Sequence, residues 1–221
     1  MADNASRAGE RYATSQILDW LSQTHHPPTE GLAQAFSAPA NHGMPEIQVG
    51  AAEGRTLQLL LTLVGARRVV EIGTLAGYSA LWMARALPEQ GHLWTLEADQ
   101  AHAEVARESI AAAGEAHRIT VIEGDASELL PTLTESGPFC AVFLDADKAR
   151  YDLYGRWATD NLRKGGLLIG DNAYLFGNLL DDSKAANAMR RFHQDMAANY
   201  LSVCLPTADG LAVGIRRKDE T

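Results

Sequence analysis

Cysteine is scarce in this 221-residue chain: there are two. Cys140 and Cys204 each stand in an apolar run that reads as a strand, where a thiol behaves as a small buried hydrophobe, so no structural disulfide is expected. Long hydrophobic runs are missing too. The strongest, Leu57 to Ala66, is about ten residues long and carries Gln58 and Thr62, against the roughly 20 that a membrane helix needs. No membrane partner is therefore expected. Basic charge is in the minority, with 19 Lys and Arg against 28 Asp and Glu for a net charge of −9. A duplex nucleic acid would meet repulsion unless a local basic stripe existed, and the sequence shows none. The start, Met1-Ala2-Asp3-Asn4-Ala5-Ser6-Arg7, has no basic segment followed by an apolar run, which points to a cytoplasmic protein. There is no internal repeat and no low-complexity tract.

What is present is the material of a globular core, 46% hydrophobic and 21% charged. At about 150 residues per domain the length allows one large domain or two small ones, and no linker interrupts the middle. From Arg67 onward short β-branched runs alternate with longer helical patterns, which predicts a parallel sheet with helices on both faces. The expected strands are Arg68 to Gly73, His92 to Glu97, Ile119 to Gly124, Cys140 to Ala146 and Leu167 to Gly170. The expected helices between and after them are Ser79 to Leu87, Ala101 to Ala113, Ser127 to Leu133, Tyr151 to Leu162 and Asp182 to Ala198. Gly91, Gly114, Gly137 and Gly165-Gly166 mark the junctions. Two last strands, Tyr200 to Leu205 and Leu211 to Arg216, are separated only by Pro206-Thr207-Ala208-Asp209-Gly210. That is too short for a crossover helix, so an antiparallel hairpin closes a mostly parallel, doubly wound, seven-stranded α/β sheet of Rossmann-like type. Residues 1–55 read as a helical extension packed on a main domain of residues 56–221. Within it Ala5 to Ser22 has helical spacing, His25-His26-Pro27-Pro28 stops it, and Leu32 to Met44 shows little periodicity. Gly50 to Val64 is amphipathic, with Leu57, Leu60, Leu61 and Val64 on one face.

The chemistry sits at the strand ends. The first strand runs into Glu71-Ile72-Gly73-Thr74-Leu75-Ala76-Gly77-Tyr78-Ser79, where glycines let a ligand approach the backbone at a helix amino terminus. The spacing is G-x-x-x-G, without the G-x-G-x-x-G of a dinucleotide site, and Glu71 suits a ligand bearing an ammonium or sulfonium better than a pyrophosphate. The second strand ends at Glu97, an acid that can accept hydrogen bonds from both hydroxyls of a ribose. The third ends Glu123-Gly124-Asp125-Ala126-Ser127, where Asp125 could meet an adenine edge, cap the next helix, or do both. The fourth and fifth end Phe143-Leu144-Asp145-Ala146-Asp147-Lys148 and Ile169-Gly170-Asp171-Asn172. On neighbouring strands, roughly 5 Å apart, Asp145, Asp171 and Asn172 converge as hard oxygen ligands for Mg²⁺ or a similar cation.

In that order these segments, with Ile47-Gln48-Val49-Gly50 before them and Asp209-Gly210-Leu211 after, resemble the cation-dependent class I O-methyltransferases that include the catechol and caffeoyl-CoA enzymes. The resemblance covers Met44 to Lys218. It implies that Val49, Glu71, Gly73, Thr74, Ser79, Glu97, Ala126 and Asp145 surround S-adenosylmethionine, with Glu97 on the ribose and Asp125 close by. It implies that Asp145, Asp171 and Asn172 hold a divalent cation, Mg²⁺ first and Mn²⁺ or Ca²⁺ as alternatives. Lys148 matches the residue that takes the substrate proton, with Asp145 beside it in the catalytic set, and the family's habit of pairing implies a homodimer. Leu75 and Ala146-Asp147 differ from the catechol enzyme near the acceptor, so substrate identity does not transfer.

The expected activity is metal-assisted methyl transfer to a hydroxyl of a vicinal aromatic diol. The alternatives are action on a non-catechol small molecule and a cofactor-binding homologue without catalysis. A nicotinamide dehydrogenase is disfavoured by the absent G-x-G-x-x-G, and an amino-group or nucleic-acid methyltransferase by the lack of an Asn/Asp-Pro-Pro-aromatic run after the fourth strand. Several conspicuous residues have plainer readings: His25-His26 as an exposed loop, Arg190-Arg191 with His193 as a solvated helix face, and Trp82, Trp94 and Trp157 as core or interface. Trp20 could reach the substrate mouth. For Lys148 the plain reading is a surface ion pair with Asp147 or Asp152.

Overall fold

A computed structural model describes residues 13–25 and 27–217. Its elements in chain order are α1 (Ser15–His25), α2 (Glu30–Asn41), α3 (Ala51–Leu63), β1 (Arg68–Ile72), α4 (Tyr78–Ala84), β2 (His92–Glu97), α5 (Gln100–Ala112), β3 (Ile119–Glu123), α6 (Ala126–Leu133), β4 (Phe139–Leu144), α7 (Tyr151–Asn161), β5 (Leu162–Gly170), α8 (Lys184–Asn199), β6 (Tyr200–Leu205) and β7 (Leu211–Arg216). The seven strands form one sheet in the order β3-β2-β1-β4-β5-β7-β6. Neighbours from β3 to β5 run parallel, and β7 is antiparallel to both β5 and β6, as the short Pro206–Gly210 connection requires. β4, Phe-Cys-Ala-Val-Phe-Leu, is buried at every position because helices cover both of its faces.

One core cluster joins Leu57 and Leu61 of α3 to Leu81 and Trp82 of α4 and to Phe143 and Ile169 of the sheet. The other joins Val142 and Leu168 to Tyr151 and Tyr154 of α7 and to Met189 and Phe192 of α8. Helix starts carry local caps: Asp99 accepts from His102 N–H at 3.1 Å, Asp125 from Ser127 N–H at 2.8 Å and Ser183 from Ala186 N–H at 3.1 Å. Both cysteines are free, Cys140 buried in β4 and Cys204 half-buried in β6. Among the described residues no helix is long and apolar enough to cross a membrane.

Three expectations are corrected. The stretch with little periodicity contains a real helix, α2, whose Leu32 and Ala35 enter the first core cluster. Strand β5 begins at Leu162, where a helix was expected to end, and passes an irregularity opposite Phe139 and Ala141 before the Leu167–Gly170 stretch. The first helix, expected over Ala5 to Ser22, covers Ser15–His25; residues 5–12 and His26 lie outside the described residues. No residue of α1 is buried, and Trp20 is 63% exposed and does not line the large cleft. Trp82 is a core residue, and Trp94 and Trp157 are half-buried.

Candidate active site

Strand order reverses between β1 and β4, since β2 lies on one side of this pair and β5 on the other. Open α/β sheets hold ligands at the carboxyl end of such a point. The ladder there runs one residue beyond the strands: Gly73 N–H donates to Leu96 O (2.9 Å), Asp145 N–H to Ile72 O (2.8 Å) and Asp171 N–H to Leu144 O (3.0 Å). Because Leu144 pairs with Gly170, this register sets Asp145 and Asp171 side by side. A cleft of about 690 Å³ opens above, lined among others by Val49, Gly73, Thr74, Ser79, Glu97, Asp125, Ala126, Asp145, Lys148 and Asn172. Gly73 cannot be replaced without rearrangement: its φ is +100°, and a Cβ would stand 2.2 Å from the Asp145 carbonyl oxygen.

Glu71 and Asp171, expected at the site, do not line the cleft. Glu71 lies beneath its floor, fully buried, accepting hydrogen bonds from Ser79 Oγ and from Thr95 Oγ1, the latter at 2.6 Å. Burial pushes its carboxyl up to about 8, against two hydrogen bonds that pull it down. Before any ligand arrives it is thus a largely protonated acid at neutral pH, supporting Ser79 from below. A carboxyl whose folded pKa lies above its unfolded value near 4.5 favours the native state most below about pH 4.5, and that contribution is lost as pH rises through about 8. The melting temperature should fall between pH 5 and pH 8, each such group contributing at most about 1.4 kcal/mol per pH unit. Glu71→Gln should flatten that fall in thermal melts of the ligand-free protein, and equal slopes in the two proteins would show that Glu71 is not responsible.

Glu97 binds the first loop, its Oε2 accepting from Thr74 N–H (3.1 Å) and Leu75 N–H (2.8 Å) and its Oε1 from Asp99 N–H (3.0 Å). Leu75 is held at φ 50°, a conformation that side chains rarely adopt and that here turns the loop toward the cleft. Asp125 both caps α6 and pairs with Arg150 at 2.7 Å, and the Ser127 and Arg150 hydrogen bonds hold its carboxyl down to about 2. Arg150 also stands 3.5 Å from Asp147. Arg150 lines the cleft yet was not singled out in the sequence; the signal was its place three residues after Asp147, within one turn.

Lys148 Nζ lies 2.8 Å from Asp145 Oδ1 and 3.0 Å from the Tyr151 hydroxyl, over whose ring it sits at 4.9 Å. The expected surface partners are engaged elsewhere: Asp147 with Arg150, Asp152 with Arg156 and Arg191. Lys148 points inward because the short turn Lys148–Arg150 winds the chain back over the end of β4. Asp171 is 7% exposed, and burial pushes its carboxyl up to about 7, with the Asp145 charge adding to the shift. Asn172, at φ 51°, brings an amide to the same end of the cleft. Among the described residues no group of three or more His, Cys, Asp or Glu is placed to hold a metal. The set here is two carboxylates and one amide, all oxygen donors. Arg190, Arg191 and His193 do not form a free anion grip, since Arg190 binds the Leu179 and Asp181 carbonyls, Arg191 binds Asp152, and His193 Nε2 lies 2.9 Å from Ala173 O.

A sequence model of the O-methyltransferase family matches residues 22–217. The chain is 43% identical over 175 residues to a catechol O-methyltransferase of Niastella koreensis, covering 77% of this chain and 79% of that one. It is 32% identical over 217 residues to caffeoyl-CoA O-methyltransferase 1 of Zea mays, covering 91% and 83%. The crystal structure of an O-methyltransferase from Bacillus cereus in complex with SAH superposes with a TM-score of 0.87 at 32% identity, covering 91% of this chain and 97% of the other. With the switch-point cleft and its acid-tipped strands, these matches settle the kinship: the chain belongs to the O-methyltransferase family and is an enzyme that methylates oxygen.

Proposed function

We propose that the chain transfers a methyl group from S-adenosylmethionine to one hydroxyl of a vicinal aromatic diol of catechol, caffeoyl or flavonoid type, with a divalent cation held by Asp145, Asp171 and Asn172. The observation that carries this reading is the register that sets Asp145 beside Asp171, just under the wall of a cleft that Asp145, Asn172, Gly73, Thr74 and Glu97 line. In it residues 56–221 are the donor-binding domain, and residues 1–55 are an extension that lends Val49 to the cleft. Val49, Gly73, Thr74, Ser79, Glu97, Asp125, Ala126 and Asp145 form the donor's walls, with Glu71 supporting Ser79 from below. The Bacillus cereus relative in complex with SAH supports the choice of donor.

The donor set fits a hard cation: Asp145 and Asp171 carry like charges that repel at close quarters, the Asn172 amide adds a third oxygen, and Mg²⁺, Mn²⁺ and Ca²⁺ all favour such oxygens. Held by Asp145, Asp171 and Asn172, a cation would supply the positive charge that makes a bound diol hydroxyl a better nucleophile at neutral pH. The chain's own part is orientation and proton transfer. As the hydroxyl oxygen forms its bond to the methyl carbon, the sulfonium carbon–sulfur bond breaks, sulfur keeps the electron pair, and the hydroxyl proton passes to the lone pair of Lys148 Nζ, which must enter the step as the neutral amine and leaves it as the ammonium. The enzyme acts in the cytoplasm as a homodimer in this reading, and the exposed Leu59 and Leu63 of α3 and Leu201 and Val203 of β6 offer apolar surface for a second copy.

A panel of aromatic acceptors with a labelled methyl donor and Mg²⁺ tests the reading. Vicinal diols should be methylated, and the same rings with a single hydroxyl or with hydroxyls in meta relation should react at least about 100-fold more slowly, since only adjacent oxygens can share the cation site. Equal rates for single phenols and vicinal diols would overturn it.

A further inference from the structure

The segment that leaves β5 runs along the acceptor end of the cleft in conformations that side chains rarely adopt. Asn172, Leu175 and Phe176 have φ of 51°, 52° and 53°. Such conformers persist only where the surroundings impose them. Here the turn between β6 and β7 imposes them. Ala173 N–H donates to Gly210 O and Tyr174 N–H to Asp209 O, both at 2.9 Å, and Phe176 N–H donates to the Asp209 carboxylate at 2.9 and 3.1 Å. An aspartate before glycine ordinarily serves its own turn, but this carboxylate is directed 33 residues back along the chain. Gly210, at φ +77°, lies under the Tyr174 ring, where a Cβ would meet the ring at 2.7 Å. The product is Phe176, 66% exposed and lining the same cleft as Lys148 and Asn172.

We propose that Asp209 is a positioning residue for the methyl acceptor: by holding the Phe176 N–H it fixes the Phe176 ring as a wall of the cleft, and so decides which of the two diol oxygens faces the methyl donor. This rests on the reading of the site as a diol O-methyltransferase. Asp209 touches neither reactant and acts through Phe176. An aromatic ring beside the metal-side residues offers a flat apolar face on which a substrate ring can lie, and a face that moves by an ångström presents a different oxygen.

The test compares wild type with Asp209→Ala, Asp209→Asn, Phe176→Ala and the double variant Asp209→Ala/Phe176→Ala, on an unsymmetrical vicinal diol. Asp209→Ala should raise the acceptor KM about tenfold and shift the ratio of the two monomethyl ethers by at least about threefold, with donor affinity by calorimetry within about twofold of wild type. Asp209→Asn, which keeps one acceptor oxygen, should restore much of both. Adding Asp209→Ala to Phe176→Ala should change nothing further. Amide exchange at residues 174–177 should quicken by at least about tenfold in Asp209→Ala. An unchanged product ratio and KM would overturn the proposal, as would a full additional effect in the Phe176→Ala background or an equal loss of donor affinity. If wild type methylates no vicinal diol, the functional reading fails, and amide exchange alone decides the clamp: unchanged exchange at Phe176 in Asp209→Ala overturns it.

Discussion

Replacing Lys148 by methionine is expected to lower kcat at saturating diol by about 10²–10⁴-fold, the usual worth of a proton acceptor, while donor affinity by calorimetry stays almost unchanged. The side chain is well placed for that loss. The side chain is 15% exposed, and its Nζ reaches Asp145 at 2.8 Å and lies over the Tyr151 ring, so it stands in the wall of the cleft and not in bulk water. The Tyr151 hydroxyl that it meets lies 2.8 Å from Leu144 O and 2.9 Å from Asp171 O, which ties the lysine to the ends of β4 and β5. The competing role is structural, with Lys148 merely holding Asp145. Arginine separates the two, because it keeps the positive charge and the carboxylate partner but cannot give up its proton in a protein. If Lys148 accepts the proton, Lys148→Arg should be almost as slow as Lys148→Met. An arginine variant within about threefold of wild type in kcat would assign the lysine to holding Asp145.

The strand ends were legible in the sequence for a physical reason. Parallel strands buried on both faces need unbroken β-branched and aromatic runs, as in Phe139–Leu144, and the polar residue that stops such a run marks the sheet's carboxyl edge. That pattern alone places Gly73, Glu97, Asp145 and Asp171 on one edge. Helix α2 was not legible because its buried stripe is Leu32, Ala35, Ala38 and Pro39, small residues with little contrast against their neighbours. Lys148 was read as a candidate base, but its partner could not be, since the inward turn depends on the chain winding through Lys148–Arg150. The depth of Glu71 was likewise hidden: an acid ending a strand reads as facing the ligand, and only the packing of Ser79 and Thr95 above and beside it shows otherwise. Contacts made across the fold, such as Arg150 with Asp125 and Phe176 with Asp209, span 25 and 33 residues and leave no local pattern to find.

Exhaustive chelation of divalent cations is expected to lower turnover by at least about 10³-fold, equivalent to about 4 kcal/mol of transition-state stabilisation, a size usual for a cation at a reacting oxygen. The structural basis is that this end of the cleft is otherwise badly balanced. Asp145 and Asp171 follow paired residues of neighbouring strands, Asp171 is 7% exposed, and its carboxyl is pushed up to about 7 by burial and by the charge of Asp145. The basic side chain beside it, Lys148, reaches Asp145 and the Tyr151 hydroxyl, and Asp171 has no direct ion-pair partner among the described residues. Readdition should follow oxygen-donor preference, with Mg²⁺ or Mn²⁺ restoring turnover and Zn²⁺ doing so poorly. Asp171→Asn keeps the shape and removes one charge, so it should weaken Mn²⁺ binding by at least about tenfold, in line with the 1.5–3 kcal/mol worth of a charged contact, and lower turnover in parallel. Donor affinity should hold, since Asp171 is not among the residues assigned to the donor's walls. Full turnover after chelation, or Mn²⁺ binding unaltered by Asp171→Asn, would remove the cation from this site and leave orientation and Lys148 to account for the rate.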